Sequence, residues 1–474
     1  MFTRKRLAIL IFSVIICLPL FAACAQPEDD GRGTTSPSPA PSAPATTTTP
    51  DADSEPLTLV ADGKPQYTIV RPEKADQSEI DAAVAINQAI KQLCGSQFKI
   101  TTDWERNPVV DNEICIGSLT RSGSYYELSA DSLKTNEFRV AVRGTRLILI
   151  GATAYGTAQA AEWFISNYIE KTADSSTLTV PAGLDYTGSF ELPTGLRIMT
   201  QNLLATDTEY EGYAKDPAFA AKMTAKLPEH TIARRAPRVL SLIETYKPDS
   251  LGVQECSKNW RVYFDNKLPP LGYTRLGADK NEKIGIIYNR SAVKAIADGS
   301  FWLTEAPESL KISEEWGKAS DGLTERLGMY VVFEVMATGE RYIHFNTHLD
   351  TAKNGVIQTK QIEVILDYIA TVSAKYNNAP VVLTGDFNLN STNSAYKVIL
   401  RDTLGDTREL CKSSSGGGSF NKFIGRDYAS LPIDQIMATR DGFIFNSYKV
   451  IYDTFDGCFA SDHYAVIADI EIKK

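Results

Sequence analysis

In the C-terminal half of this chain, five apolar runs each border a side chain that carries oxygen or nitrogen, and that repetition constrains the fold more than any other feature. Leu196 to Thr200 leads to Asn202, Leu251 to Gln254 leads to Glu255, Tyr342 to Thr347 leads to His348, and Val381 to Gly385 leads to Asp386 and Asn388. The fifth is the closing Ser461-Asp462-His463, set against the apolar strand Ala465-Val466-Ile467. A sheet that delivers such residues to one rim makes a site for Mg²⁺ or Mn²⁺, because these hard ions take carboxylate and carbonyl oxygens and keep exchangeable waters.

Each residue also has a plainer reading. Asp386 and Asn388 are types that favour turns after strands, and only Gly385 and the rest of the set outweigh that. The chain has four histidines, two of them inside these motifs. His344 shares a strand face with His348 and could approach the site, but is expected to be a packed or surface histidine, and His230 to be structural. Arg234, Arg235 and Arg238 are expected on a solvated helix face.

Taken in order, Gln201-Asn202, Gln254-Glu255, Thr347-His348-Leu349, Gly385-Asp386-Phe387-Asn388 and Ser461-Asp462-His463 resemble the motifs of the endonuclease/exonuclease/phosphatase superfamily, across nearly all of Leu196 to Lys474. That superfamily spans DNase I-like nucleases, inositol-phosphate phosphatases, sphingomyelinases and deadenylases. The resemblance implies a four-layer α/β sandwich, with two sheets face to face and helices outside. It makes Glu255 the principal ligand of a Mg²⁺ or Mn²⁺ ion, with Asn202, Asp386 and Asp462 completing or adjoining the shell. It gives Asn388 to the phosphate or the attacking water, His463 to the water or the phosphorane, and His348 to the leaving oxygen. Asp434 would fix His463, and Glu282 would orient His348. The general base is left open between His463 and Asp386.

The chemistry accounts for these types. Adding an oxygen nucleophile to an anionic phosphate requires offsetting charge and donors aimed at the transition state. Proton transfers near neutral pH suit histidine, and a carboxylate on the far ring nitrogen sets its tautomer and orientation.

Ahead of this region, residues 57–190 are expected to form a small α/β domain. Tyr67 to Val70, Lys99 to Thr101 and Ile114 to Ile116 read as strands. A helix with Ala83, Ile86, Ile90 and Leu93 on one face opens at Asp76 and Glu79, spaced as a capping box, and stops near Gly95. A hairpin at Phe138 to Val142 and Leu147 to Ile150 precedes a second helix, Ala154 to Ile169, with Ala161, Phe164, Ile165 and Tyr168 facing inward. This pattern resembles the accessory α/β domain of several glycoside hydrolases, which implies carbohydrate contact. The glycines at Gly151 and Gly156 lack the Lys-Ser or Lys-Thr of a phosphate loop, so tight helix packing is the expected reason for them. Pro181 to Pro193 reads as a linker to the region 195–474.

The N-terminus carries an address. Arg4, Lys5 and Arg6 precede an apolar run, Leu7 to Leu20, too short to span a membrane comfortably. The following Phe21-Ala22-Ala23-Cys24 resembles the lipobox of bacterial lipoproteins, with Phe21 where Leu is usual. Residues 1–23 would be a signal peptide and Cys24 the lipidated residue, anchoring the chain outside the cytoplasm. Residues 24–56, rich in Pro, Thr, Ser and Ala, bury too little apolar surface to fold, and if extended could reach roughly 100 Å.

Of the seven cysteines, five remain beyond Cys17 and Cys24, and they read mostly as buried thiols, with one bridge not excluded. A net charge of −9 without a basic tract speaks against nonspecific nucleic-acid binding. The expected activity is metal-dependent hydrolysis of a phosphate ester by a monomer, on a small metabolite, a lipid headgroup or nucleic acid. An extracellular nuclease of the same fold is the first alternative, and a catalytically silent glycan-binding lipoprotein the second.

Overall fold

The computed structural model describes residues 55–121, 128–193, 195–206, 227–278, 283–309, 326–351, 355–423, 425 and 430–474. The signal segment, Cys24, nearly all of the tether and Glu282 lie outside the described residues.

The N-terminal strands are β1 (Leu57–Ala61), β2 (Lys64–Pro65), β3 (Thr68–Arg71), β4 (Lys99–Thr102), β5 (Glu113–Ile116), β6 (Glu137–Arg143), β7 (Arg146–Gly151), β8 (Leu178–Val180) and β9 (Asp185–Ser189). They build a three-stranded sheet, β2-β1-β8, and a six-stranded sheet, β4-β3-β5-β7-β6-β9. Helix α1 (Gln77–Cys94) starts where the Asp76 N–H donates to Glu79 Oε2 at 3.0 Å, and ends at Gly95 with φ of 74°, the left-handed conformation that glycine adopts without cost. Helix α2 (Ala154–Phe164) runs on into a π-helical turn over Ile165–Ile169. A Cβ on Gly151 would lie 2.2 Å from the Gly156 carbonyl carbon, so close strand-to-helix packing does account for these glycines. The two helices close over Ile69, Ile86, Ile90, Ile114, Val140 and Phe164 in one apolar core.

The linker is shorter than expected. β9 falls inside Pro181 to Pro193 and pairs antiparallel with β6. The bonds that hold it come from distant residues: Arg139 Nε and Arg143 Nη2 each reach Asp185 at 2.6 Å, and Tyr186 stacks on Trp163 with ring centroids 4.2 Å apart.

The C-terminal strands are β10 (Gly195–Asn202), β11 (Ser250–Gln254), β12 (Tyr273–Gly277), β13 (Gly285–Asn289), β14 (Val293–Trp302), β15 (Leu327–Val335), β16 (Arg341–His348), β17 (Val381–Asp386), β18 (Leu404–Asp406), β19 (Ser413–Ser415), β20 (Asp434–Thr439), β21 (Phe443–Val450) and β22 (Val466–Ile472). Two sheets result, β12-β13-β11-β10-β22-β21-β19 and β14-β15-β16-β17-β20-β18. Helices α3 (Ile232–Tyr246) and α4 (Lys258–Lys267) cover the first through Met199, Leu251, Val253 and Trp260. Helices α5 (Val356–Lys375) and α6 (Ser394–Ile399) cover the second through Ile343, Phe345, Val381 and Leu383. A short helix, α7 (Thr407–Leu410), follows β18. The expected four-layer α/β sandwich is therefore present.

Strand alternation explains which residues face the space between the sheets. On β10 these are Leu196, Ile198, Thr200 and Asn202; on β16, Tyr342, His344, Asn346 and His348; on β17, Val382, Thr384 and Asp386. The apolar members of this series pack together, and the last member of each strand lies at the rim. The parallel pairs β10–β11 and β16–β17 run side by side to that rim, with His348 paired to Asp386 and Asn202 to Gln254.

Candidate active site

Residues from several strand ends gather around one carboxylate, that of Asp386. Asn202 Nδ2 donates to Asp386 Oδ2 at 3.0 Å and to Glu255 Oε1 at 2.9 Å. His348 Nε2 lies 3.5 Å, and His463 Nε2 3.8 Å, from the same Asp386 oxygen. The other oxygen, Oδ1, accepts the Asn388 N–H at 2.9 Å. Asn388 is itself oriented by donating from Nδ2 to Leu349 O at 3.0 Å. His463 Nδ1 lies 2.8 Å from Asp434 Oδ2, so Asp434 stands against His463 as the resemblance implied.

Glu255 reaches the site only by breaking the strand pattern. Regular alternation would put position 255 on the helix-covered face with Leu251 and Val253. Its φ of 56° turns the chain instead, and its Oε2 accepts the Ala205 N–H at 2.9 Å. Leu204 and Asn388, at the ends of two neighbouring strands, also have positive φ, at 59° and 52°. Such conformations cost about 1–3 kcal/mol each for non-glycine residues and gather at functional sites.

Asn202 differs from the expected oxygen donor. Its Oδ1 accepts the Leu204 N–H at 2.9 Å, and the amide group facing the carboxylates is the Nδ2 donor. In this arrangement it clamps Glu255 to Asp386.

The electrostatics separate the two histidines. Burial drives His348 well below the ordinary imidazole range, helped by the positive charges of Arg326, His463 and Lys283. Burial would lower His463 too, but the carboxylates of Asp434, Asp386 and Asp462 more than reverse it and hold that ring well above its usual value. Asp386 is pushed up to about 7 by burial, against the opposing influence of His463 and the Asn202 bond. Burial likewise raises Asp462.

These observations test whether a divalent cation fits. Glu255, Asp386, Asp434 and Asp462 bring four carboxylates to one small, largely buried volume, and burial raises Asp386 and Asp462 against the lowering pull of His463. A hard cation answers both the donor chemistry and the charge excess. Among the described residues, Asp386, Asp434 and His463 each bring a possible ligand atom within 4.8 Å of the others. This set differs from the expected Glu255, Asn202, Asp386 and Asp462. Since Asp434 is already hydrogen-bonded to His463, it is better suited to orienting the ring than to binding an ion.

Several contributors had no legible signal. Ser419 Oγ accepts the N–H groups of Ile433 and Asp434 at 3.0 and 3.1 Å. Asn421 Nδ2 donates to Ser461 O at 3.1 Å, and Asn421 N to Asp462 O at 2.7 Å. Residues 419–421 thus strap down the loop bearing Asp462 and His463, although the sequence there shows only a turn after a glycine run. Arg235 overturns the solvated-face expectation. It is fully buried, donates to the carbonyls of His230, Leu203, Leu204 and Thr206, and lies over the rings of Trp260 and Phe423. It holds the turn that follows Asn202. His344 is buried and packed and His230 is buried against Phe423, both as expected.

A four-layer sandwich whose two sheets face each other beneath outer helices is the DNase I-like fold. Residues 232–463 match the sequence profile of the Endonuclease/Exonuclease/phosphatase family. Family members are hydrolases acting on phosphate esters. The chain is 29% identical over 97 residues to the CCR4-Not complex 3'-5'-exoribonuclease subunit Ccr4 of Debaryomyces hansenii, which is 18% of this chain and 12% of that protein. It is 30% identical over 96 residues to a probable Ccr4 subunit of Vairimorpha ceranae, 20% of each chain. The chain therefore spans a fifth or less of the length of these relatives. A solved endonuclease/exonuclease/phosphatase family protein from Bacteroides thetaiotaomicron shares the fold, with a TM-score of 0.50 and 22% identity over 59% of this chain and 96% of that one.

Proposed function

We propose that this chain hydrolyses a phosphate ester by attack of water, with Glu255 and Asp462 holding a Mg²⁺ or Mn²⁺ ion. The observation that carries this reading is the meeting of Asn202, His348 and His463, drawn from both sheets, at Asp386 Oδ2. What such an ion supplies when bound is positive charge against the phosphoryl oxygens. His463, kept charged between three carboxylates, donates from Nε2 toward the oxygens that gain charge. Asp434 fixes its orientation. His348, kept neutral, hydrogen-bonds the leaving oxygen. Asp386, between the two rings, is the group left to accept the proton of the attacking water. Asn202 holds Asp386 and Glu255 in place.

The same reading places the enzyme outside the cytoplasm on a lipid anchor, supported by Arg4 to Cys24, and makes the N-terminal sheets an accessory part that contacts carbohydrate. The test is a panel with Mg²⁺ or Mn²⁺: a phosphomonoester, bis-p-nitrophenyl phosphate, plasmid DNA, RNA and sphingomyelin. Metal-dependent turnover of at least one, lost in His463→Ala, is expected, and the substrate turned over names the class. Absence of turnover on all five would sink the enzyme reading.

A further inference from the structure

Two packed sheets ordinarily meet through apolar side chains, and much of this interface does so. Along its central strands, beneath the catalytic rim, a chain of polar side chains crosses it instead. Gln254 Nε2 donates to Asn346 Oδ1 at 2.7 Å and to Thr200 Oγ1 at 3.0 Å. Thr384 Oγ1 lies 3.2 Å from Asn346 Oδ1 and 2.8 Å from His344 Nε2. His344 Nδ1 lies 2.8 Å from Ser250 Oγ, which is 3.0 Å from the Tyr342 hydroxyl. Asn346 Nδ2 also donates to Val253 O and Gly285 O, both at 2.9 Å. The members of this chain are completely buried.

The positions of these residues give the network its meaning. Thr200, Asn346 and Thr384 stand two residues before Asn202, His348 and Asp386, on the same strand faces, and Gln254 stands one before Glu255. Thr200, Ser250 and Gln254 belong to the first sheet; Tyr342, His344, Asn346 and Thr384 to the second. The site draws on the same two sheets: Asn202, Glu255 and His463 lie at the rim of one, and His348, Asp386 and Asp434 at the rim of the other. Apolar packing is non-directional and tolerates sliding, whereas hydrogen bonds fix distance and angle. Burying so many polar groups is costly unless they are paired, and here the exception is Gln254 Oε1, which has no partner among the described residues. Gly252 shows how closely the strands approach here: a Cβ would stand 2.1 Å from Thr384 Oγ1 and 2.6 Å from Asn346 Oδ1.

We infer that Gln254, Asn346 and Thr384 are positioning residues, an inter-sheet clamp that sets the catalytic groups of one sheet in register with those of the other. The inference rests on the phosphoesterase reading of the rim. None of the three touches a reacting atom. A slip of about 1 Å between the sheets would part Asp386 from Asn202 and His463, and misplacements of that size can cost roughly 100-fold in rate.

The test uses the full chain with Mg²⁺ or Mn²⁺ and whichever ester the panel identifies. Thr384→Val keeps the shape and removes the hydroxyl; Gln254→Met keeps the length and removes the donor. Each is expected to lower kcat about 10–100-fold, with KM within about twofold and the circular-dichroism spectrum of the folded protein retained. Thr384→Ser, which restores the hydroxyl, is expected to recover most of the rate. Weaker divalent-ion binding by titration calorimetry should accompany the loss. If one variant fails to fold, the other gives the same reading. Folded variants that melt earlier but keep wild-type kcat would overturn the clamp and leave the phosphoesterase reading standing. An inactive wild type would overturn both.

Discussion

The N-terminal sheets and the C-terminal sandwich solve the packing problem differently. Beneath α1 and α2 the first core is apolar but for Asn87 and Thr157, which each bond to nearby backbone. Its buried ion cluster, Glu113 with Arg121 and Arg146, sits at the start of β5, outside that core. In the sandwich, apolar residues such as Ile198, Val331, Phe333 and Ile436 stand beside a polar chain on the central strands, and the rim is acidic. A core that only holds its elements together can rely on non-directional burial. A core that must align side chains from two sheets accepts the cost of buried polar bonds in return for register.

The sharpest way to break this contrast is to show that stability and activity do not separate along it. His463→Ala should lower turnover by roughly 10²–10⁴-fold in protein that stays folded, with a lower melting temperature because Asp434 loses its buried partner, as measured by steady-state kinetics and calorimetry. Ile86→Ala should destabilise the N-terminal core by about 2–5 kcal/mol with kcat unchanged.

Acidity should also distinguish the two regions through single groups. Burial pushes Glu79 at the head of α1 up to about 7 from an ordinary 4.5. The folded form therefore binds more protons than the unfolded chain between those values, and this contribution to stability is lost as pH rises through about 7. Glu79→Gln should flatten that decline. Burial holds His344 down to about 3 from 6.5. Its contribution has the opposite sign, being full above 6.5 and lost as pH falls toward about 3, so His344→Gln should make the acid side of the stability curve shallower. Denaturant titrations from pH 3 to 8 would read both. The smallest effect belongs to the cap of α2, where Thr153 Oγ1 accepts the Gly156 N–H at 3.0 Å. Thr153→Ala should cost about 1 kcal/mol and leave kinetics untouched.

Much of the architecture was legible because its signals are local. Apolar runs marked β3 to β7, β10, β11, β16 and β17 to within a residue or two, and Asp76, Glu79 and Gly95 bounded α1. β9 escaped because its evidence lies on Arg139, Arg143 and Trp163, more than twenty positions away. The rim residues were legible as a set, since each closes an apolar run. Two things about them were not: the left-handed turn that swings Glu255 off its expected face, and the direction in which the Asn202 amide points. Arg235 looked solvated because nothing next to it announces the carbonyls it binds. The clamp was equally silent, because Gln254 and Asn346 are bonded across 92 positions and each alone is merely a polar residue at the end of an apolar run.

The central claim is that Asp386 joins the two sheets into one metal-dependent hydrolytic site. Its most direct test is hydrolysis of the ester identified by the panel, by chelator-treated wild type and Asp386→Ala, while Mg²⁺ or Mn²⁺ is added back. Turnover that rises with the ion in wild type and stays at background in Asp386→Ala is the expected result. Turnover that ignores the chelator, or that survives in Asp386→Ala, would contradict the account.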